Sequence, residues 1–429
     1  MGNEQATDSN VGGFFFMMKG MTTHPRLPAR HALLAIVSAL AMSAVCAQGA
    51  DQPLAQSCIN ELRSKATRAG VSNATFEQAM QGVVAKPELM DKLNYQPEFK
   101  LPIWDYLASL VDNERVLDGT AMLVQYQTAL ADISKQYGID EETIVAVWGV
   151  ESNYGQNTGG RDIVESLATL SCMGRRQNFF SGEFVAALKI MQSGDFERDL
   201  FKGSWAGAFG QTQFMPSTFL RLAVDGDGDG KRNLITNPID ALASTANFLK
   251  RAGWRAGQTW GFEVKLNQGT PSVTGRKSVR DMSYWVKKGL SRVDGSNLVG
   301  GGVDSDTDAA LLLPAGDNGP AFLLLNNFKA IYSYNASESY GLAIAHLSDR
   351  LRGQGVFATP WPTDDAGLSR AEKREVQTLL LARGHDIGAV DGALGSKSQA
   401  AIKLEQQRLG HEVSGRAGQR LLTALRASP

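Results

Sequence analysis

A stretch bearing proline and glycine, Gly353 to Gly367 with Pro360-Trp361-Pro362 inside it, cuts the 429-residue chain into two unequal parts. Helix does not run through such a stretch, because proline lacks an N–H and pushes its predecessor out of the helical region. The pattern predicts a linker over 353–367, with a body before it and a module over 368–429 after it. Each part then needs its own core. Roughly sixty residues is small but within the size that folds alone. Hydrophobic residues make up 43% of the chain, enough for both cores. The 43 basic residues nearly balance the 44 acidic ones, for a net charge of -1, and no long basic block occurs. That pattern argues against electrostatic binding of nucleic acid. The short Gly174-Arg175-Arg176 run reads as a solvated loop and not as a phosphate clamp.

The body, over 48–352, reads as mainly helical. Asn73-Ala74-Thr75-Phe76 resembles a helix start, and Met122 to Tyr137 carries apolar residues at helical spacing. Between about 260 and 328 the character changes. Phe262, Val264 and Leu266 alternate with polar residues, as along a half-buried strand. Leu311-Leu312-Leu313 and Phe322-Leu323-Leu324-Leu325 are short apolar runs bounded by Gly, Pro and Asn. The expectation is a mainly α (α+β) chain with a small β-rich insertion. Helix returns from about Tyr340 to Leu351.

Residues 1–47 read as an N-terminal extension and export signal. Lys19, Arg26, Arg30 and His31 lead into an apolar stretch from Ala32 to Val45, too short for the ~20 residues that span a bilayer. Val45-Cys46-Ala47 fits a small-residue cleavage site, and Met17, Met18 or Met21 are alternative starts. Val45 fits poorly before a lipidated cysteine, so a soluble periplasmic protein is expected over an anchored one. Of the 3 cysteines, cleavage there leaves Cys58 and Cys172. In an oxidising compartment they suggest one disulfide, the alternative being two buried thiols.

Asp140-Glu141-Glu142 has the acidic chemistry of a helix start. Ile144, Val147 and Trp148 follow at helical spacing, and the next position on that stripe is Glu151. A carboxylate on an apolar face is costly to ionise, so its pKa should rise. A raised pKa suits the general acid of glycosidic cleavage. A buried structural ion pair is the alternative for the same pattern.

Glu151-Ser152-Asn153-Tyr154-Gly155 and Gly207-Ala208-Phe209-Gly210-Gln211-Thr212-Gln213-Phe214-Met215-Pro216-Ser217 together resemble the lytic transglycosylases of the B type. These are peptidoglycan-cleaving enzymes with a lysozyme-like core. The resemblance continues through Asp225 to Trp254, then Tyr334-Asn335-Ala336-Ser337 and Tyr340, and spans Cys58 to Leu351. It implies that Glu151 protonates the bond between N-acetylmuramic acid and N-acetylglucosamine. The same carboxylate then acts as base on the muramoyl 6-hydroxyl, leaving a 1,6-anhydro end. It also implies that Ser204 and Gln213 face the sugars, with Tyr106, Tyr334, Asn335 and Tyr340 lining the groove. Aromatic faces with polar tips suit pyranose rings. Phe248 stands where some relatives carry Tyr, which removes one hydroxyl.

Asp225-Gly226-Asp227-Gly228-Asp229-Gly230-Lys231 has the alternating carboxylates and sixth-position glycine of a calcium loop. Thr236 stands where the usual twelfth-position Glu would be, and the resemblance assigns that role to Asp240. Lys231 would ligate through its backbone carbonyl. A structural calcium ion is expected there, with no cofactor needed for catalysis. A Gly-rich turn with solvated Asp residues is the alternative. In the module, Glu375-Val376-Gln377, Gly384-His385 and Asp391-Gly392-Ala393-Leu394-Gly395 resemble a three-helix peptidoglycan-binding domain. Glu405 precedes Gln406 where that pattern has an aromatic residue. The expected partner is the glycan strand, with other cell-wall enzymes left open and a monomer expected. A hydrolytic muramidase, using Asp162, Glu165 or Asp195 as second carboxylate, and a non-catalytic wall-binding scaffold are the rival readings. No Gly-x-Ser-x-Gly or His-Glu-x-x-His motif occurs.

Overall fold

The computed structural model describes residues 52–93, 97–267 and 269–427, with backbone alone for Pro97 and Glu98. The export signal expected over residues 1–47 lies outside them. The body opens with α1 (Gln56–Arg68) and α2 (Asn73–Met80), the latter capped by the Ser72 hydroxyl, which accepts from Thr75 N at 3.1 Å. The cap is thus Ser72, one residue before the start read from the sequence. α3 (Ile103–Leu110) and α4 (Asn113–Gln125) follow, and Asp112 caps α4 through Arg115 N at 2.8 Å. The helical spacing from Met122 to Tyr137 belongs to two helices. The chain breaks at Tyr126 between α4 and α5 (Gln127–Tyr137), and the Tyr126 ring packs edge-on against Trp148 with centroids 5.5 Å apart.

At the centre lies α6 (Glu141–Ser152), started by Asp140, whose carboxylate accepts from Thr143 N at 3.1 Å. Every residue from Thr143 to Gly149 is buried. A helix buried on all sides belongs at the middle of a core, not at its edge. α7 (Ile163–Met173), α8 (Gln177–Ser193) and α9 (Pro216–Leu222) form a neighbouring layer in which α8 packs on both α7 and α9, while α4, α5 and α10 (Pro238–Arg251) pack against α6 itself. Cys58 and Cys172 form a disulfide that ties α1 to α7 across 114 residues of sequence.

The insertion is an antiparallel five-stranded sheet built from β1 (Gly261–Leu266), β2 (Arg280–Asp281), β3 (Leu290–Arg292), β4 (Asp308–Leu312) and β5 (Ala321–Leu324). Its order is β2-β4-β5-β1-β3. Both faces of its centre are covered, which is why β5 reads as an unbroken apolar run. Leu312, Phe322 and Leu324 join the helical core, while Leu311, Leu323 and Val264 join a small second core around Trp285 and Met282. α11 (Asn326–Tyr332) and α12 (Glu338–Leu351) return the chain to the body, and α12 packs along α6.

The 353–367 stretch is a packed strap. Phe357 stacks on His346 of α12 with centroids 3.9 Å apart, and the Glu263 carboxylate accepts from Ala358 N at 2.7 Å and Thr359 N at 2.8 Å. Proline and glycine rule out helix there but leave side chains free to pack. Beyond it, α13 (Arg370–Ala382), α14 (Ser396–Arg408) and α15 (Gln419–Ala427) enclose a third core built on Val376, Leu380, Ile402 and Leu422. The module docks on α3 and α4. Arg416 holds Asp105 through bonds of 2.6 and 2.8 Å, and Arg374 reaches Glu114 at 2.5 Å.

Candidate active site

Glu151 sits on the last turn of α6, half-buried, below the apolar residues Ile144, Val147 and Trp148 of its stripe. The helix ends abruptly, with Asn153 at φ 50° and Tyr154 at φ 57°. Two successive non-glycine residues in the left-handed region cost about 1–2 kcal/mol each. Hydrogen bonds offset this: Asn153 N and Tyr154 N donate to Gly149 O and Trp148 O at 3.0 and 3.3 Å, and Tyr154 Oη to Arg115 O at 2.7 Å. The turn folds the Tyr154 ring back against the helix at Gly149, where a Cβ would meet it at 2.7 Å. Glycine at 149 is therefore a condition of this ending.

Tyr340, in the first turns of α12, donates its hydroxyl hydrogen bond to Glu151 Oε1. Burial first, then the Glu151 charge, push the Tyr340 hydroxyl well above the usual tyrosine range. It therefore stays protonated and acts as a donor to the carboxylate. Tyr334 lies parallel to it with ring centroids 6.3 Å apart and donates to Thr212 O at 2.7 Å. Burial, then Glu151, raise Tyr334 likewise. Tyr106 on α3 is buried and near enough for its charged form to oppose ionisation of Tyr340. The Asn335 amide oxygen is buried with no protein partner among the described residues. Phe248 packs on Tyr334 with centroids 4.5 Å apart, so the ring is kept and only the hydroxyl is missing.

Ser204 braces its own loop, and Gln213 also ties that loop to the segment after α6. Ser204 Oγ accepts from Ala208 N at 3.1 Å, and Gln213 Nε2 donates to Thr158 O and Gly210 O, both at 2.9 Å. Gln211, which the sequence motif contains but did not single out, ties this loop to α6. Its amide oxygen accepts from Trp148 Nε1 at 3.0 Å, and its backbone carbonyl from Ser152 Oγ at 2.7 Å. Its own N–H donates to Leu234 O at 2.7 Å, just beyond the acidic loop.

The three carboxylates weighed as partners for Glu151 are engaged elsewhere. Asp162 caps α7 and pairs with Arg198 at 3.2 Å, Glu165 lies 3.8 Å from Lys86, and Asp195 pairs with Arg232 at 2.9 Å. A cavity of about 700 Å³ opens at the far end of α12, lined by Trp260, His346, Asp349 and Phe357 and by none of the residues expected to line a groove.

In the acidic loop, Asp225, Asp227 and Asp229 each bring an oxygen within 4.8 Å of the others, all exposed. Asp240 lies behind this trio, fully buried, accepting from Gly226 N at 2.7 Å and Asn233 N at 2.6 Å. Burial, then the neighbouring Asp charges, raise its pKa. Lys231 donates its N–H to Asp229 at 2.8 Å. Hard oxygens converging on one point suit calcium, so the residues present fit such an ion.

The family model for the transglycosylase SLT domain matches residues 54–349. The chain belongs to this family. A second model, for a peptidoglycan binding domain, matches residues 369–425. The SLT-family chain is 34% identical over 245 residues to the membrane-bound lytic murein transglycosylase B of Escherichia coli. That match spans 56% of this chain and 65% of the relative, a little under two thirds of its length. Among solved structures, SltB3 from Pseudomonas aeruginosa in complex with NAG-anhNAM-pentapeptide is 44% identical, with a TM-score of 0.69. It is covered over 98% of its length, against 86% of this chain. The Escherichia coli lytic transglycosylase Slt35 in complex with calcium is 28% identical, with a TM-score of 0.61 over 70% of this chain and 96% of that one.

Proposed function

We propose that the protein is a lytic transglycosylase of the bacterial cell wall. It cleaves the β-1,4 bond between N-acetylmuramic acid and N-acetylglucosamine in peptidoglycan. Glu151 gives a proton to the bridging oxygen as the bond to the muramoyl anomeric carbon breaks. The muramoyl 6-hydroxyl then attacks that carbon and returns its proton to Glu151. One carboxylate serves twice, protons balance, and the product is a 1,6-anhydro end with no water consumed. The observation that carries this reading is the pairing of Glu151 with Tyr340, while Asp162, Glu165 and Asp195 are held in other contacts. A hydrolase needs a second carboxylate to activate water. Tyr106, Tyr334 and Tyr340 would shape the groove, and Asn335 Oδ1 would accept a hydrogen bond from the sugar. Ser204 and Gln213 would define the groove mainly through the loop they hold.

The acidic loop would hold a structural calcium ion at Asp225, Asp227 and Asp229, with Asp240 fixing the two loop ends. Gln211 would pass that rigidity to α6. The module would bind glycan strands and concentrate the enzyme on the wall. Its Glu405 is an interior brace, 2.8 Å from His385 Nε2, so this position is not available to a ligand. Residues 1–47 would direct export to the periplasm, where the disulfide is stable. No helix among the described residues is long and apolar enough to cross a membrane.

Digestion of purified peptidoglycan followed by mass spectrometry tests the reading. Fragments ending in 1,6-anhydromuramic acid are expected from the native protein and none from Glu151→Gln. Reducing-end fragments, one water heavier, would support the hydrolase, and wall binding with neither product would support the scaffold alternative.

A further inference from the structure

We propose that Arg370, on the C-terminal module, is a positioning residue for Glu151, so that the docked module completes the seat of the catalytic helix. The inference rests on the transglycosylase reading. Arg370 is the first residue of α13, yet its side chain reaches into the body. Its guanidinium donates to Asp112 through Nε at 2.8 Å and Nη2 at 3.0 Å, and to Asn153 Oδ1 through Nη1 at 2.5 Å. Its backbone N–H adds a third bond to Asp112 at 3.2 Å.

Both acceptors belong to the framework of α6. Asn153 is the left-handed residue that ends the helix, two positions after Glu151. Asp112 caps α4 through Arg115 N, and the buried Arg115 guanidinium donates to Gly149 O inside α6. Arg115 O in turn accepts from Tyr154 Oη at 2.7 Å, on the other side of the same turn. Arg370 and Arg115 thus hold the last turn of α6 from two directions, with Asp112 accepting from the Arg370 guanidinium and from the Arg115 backbone N–H. Burial opposes the Asp112 charge, but the Arg370 bonds overcome it and hold the carboxyl below its usual range. A planar fork reaching two acceptors at once is something arginine does and lysine does not. A module acting only as a tether would need no contact with the end of the catalytic helix.

Full-length protein, Arg370→Ala, Arg370→Lys, Asn153→Gly and the Arg370→Ala/Asn153→Gly double variant would be assayed on short soluble muramoyl-glucosamine oligomers. Such oligomers remove any need for wall tethering. Arg426→Ala, which breaks an exposed pair inside the module, is the control. Arg370→Ala should lower kcat by about tenfold or more with KM within about twofold. Lysine should restore part of the loss, and the double variant should lose less than the sum of the two single losses, because the Arg370–Asn153 contact is shared by both. Hydrogen exchange at the amides of residues 153–157 should quicken in Arg370→Ala and stay unchanged in Arg426→Ala. An unchanged kcat in Arg370→Ala on these oligomers would overturn the proposal. If the native protein turned nothing over, the transglycosylase reading would fall. Exchange at 153–157 would still decide whether Arg370 holds the turn, and unchanged exchange would overturn that too.

Discussion

At Gly149, Tyr154 and Tyr340, single atoms decide how Glu151 is presented. Gly149→Ala would press a methyl into the Tyr154 ring, 2.7 Å away, and should destabilise the fold by about 1–3 kcal/mol. Denaturant unfolding measures that directly. Tyr340→Phe keeps the ring and removes the one donor it gives Glu151. A hydrogen bond to a charged group contributes about 1.5–3 kcal/mol, so kcat should drop by about ten- to a hundredfold. KM should move little, and steady-state assays on soluble oligomers separate the two. At this scale the place of Glu151 at the end of a buried helix was legible from the apolar spacing of Ile144, Val147 and Trp148. The links of Arg370 to Asp112 and Asn153 and of Arg115 to Gly149 were not, because they join residues far apart in the chain and leave no local pattern. Gln211 lay inside the motif, but a buried amide linking two backbone segments looks in sequence like any polar loop residue.

At the scale of elements, the sheet explains why its strands could be located and its packing could not. Alternation in β1 marks a strand, whereas the unbroken apolar run in β5 fits a buried helix segment equally well until both faces are seen covered. In the strap, composition reports the absence of regular structure and not the absence of packing, so its contacts with His346 and Glu263 leave no mark in the sequence. The disulfide between α1 and α7 should contribute about 2–4 kcal/mol, mainly by restricting the unfolded chain. Urea unfolding with and without reductant would measure it, and Cys58→Ser should abolish the difference. Calcium should raise the Tm of the native protein by a few degrees, through binding to the folded state alone. Asp227→Asn should remove most of that rise, read by thermal unfolding with calcium or chelator.

The whole molecule carries two buried titratable groups whose effects on stability oppose one another. Burial, then Arg350, push His346 down to about 3, and burial pushes Asp349 up to about 6. The unfolded chain takes up a proton at His346 near 6.5 while the folded one refuses it until about 3, so stability is lost as pH falls through that window. Asp349 acts with the other sign. Between about 6 and its ordinary 3.8 the folded form binds the proton first, so stability is gained as pH falls. The contributions of these two groups should therefore nearly cancel from about pH 6 to 4, with the His346 loss alone continuing below that. Relative to the native protein, His346→Phe should gain stability on acidification through that range and Asp349→Asn should lose it, as measured by urea unfolding at stepped pH. Neither group could be read from sequence, since a His and an Asp on a helix are ordinary until burial is known. The division into body and module was visible in the proline- and glycine-bearing stretch. The docking of one on the other, through Arg370, Arg374 and Arg416, was not.

The central claim is that one carboxylate cleaves the strand without water. Digestion of peptidoglycan in heavy-oxygen water, with mass spectrometry of the new ends, tests it most directly. The account predicts anhydro ends that carry no heavy oxygen, and their loss in Glu151→Gln. Reducing muramic acid ends carrying the label would contradict it and require a second carboxylate opposite Glu151.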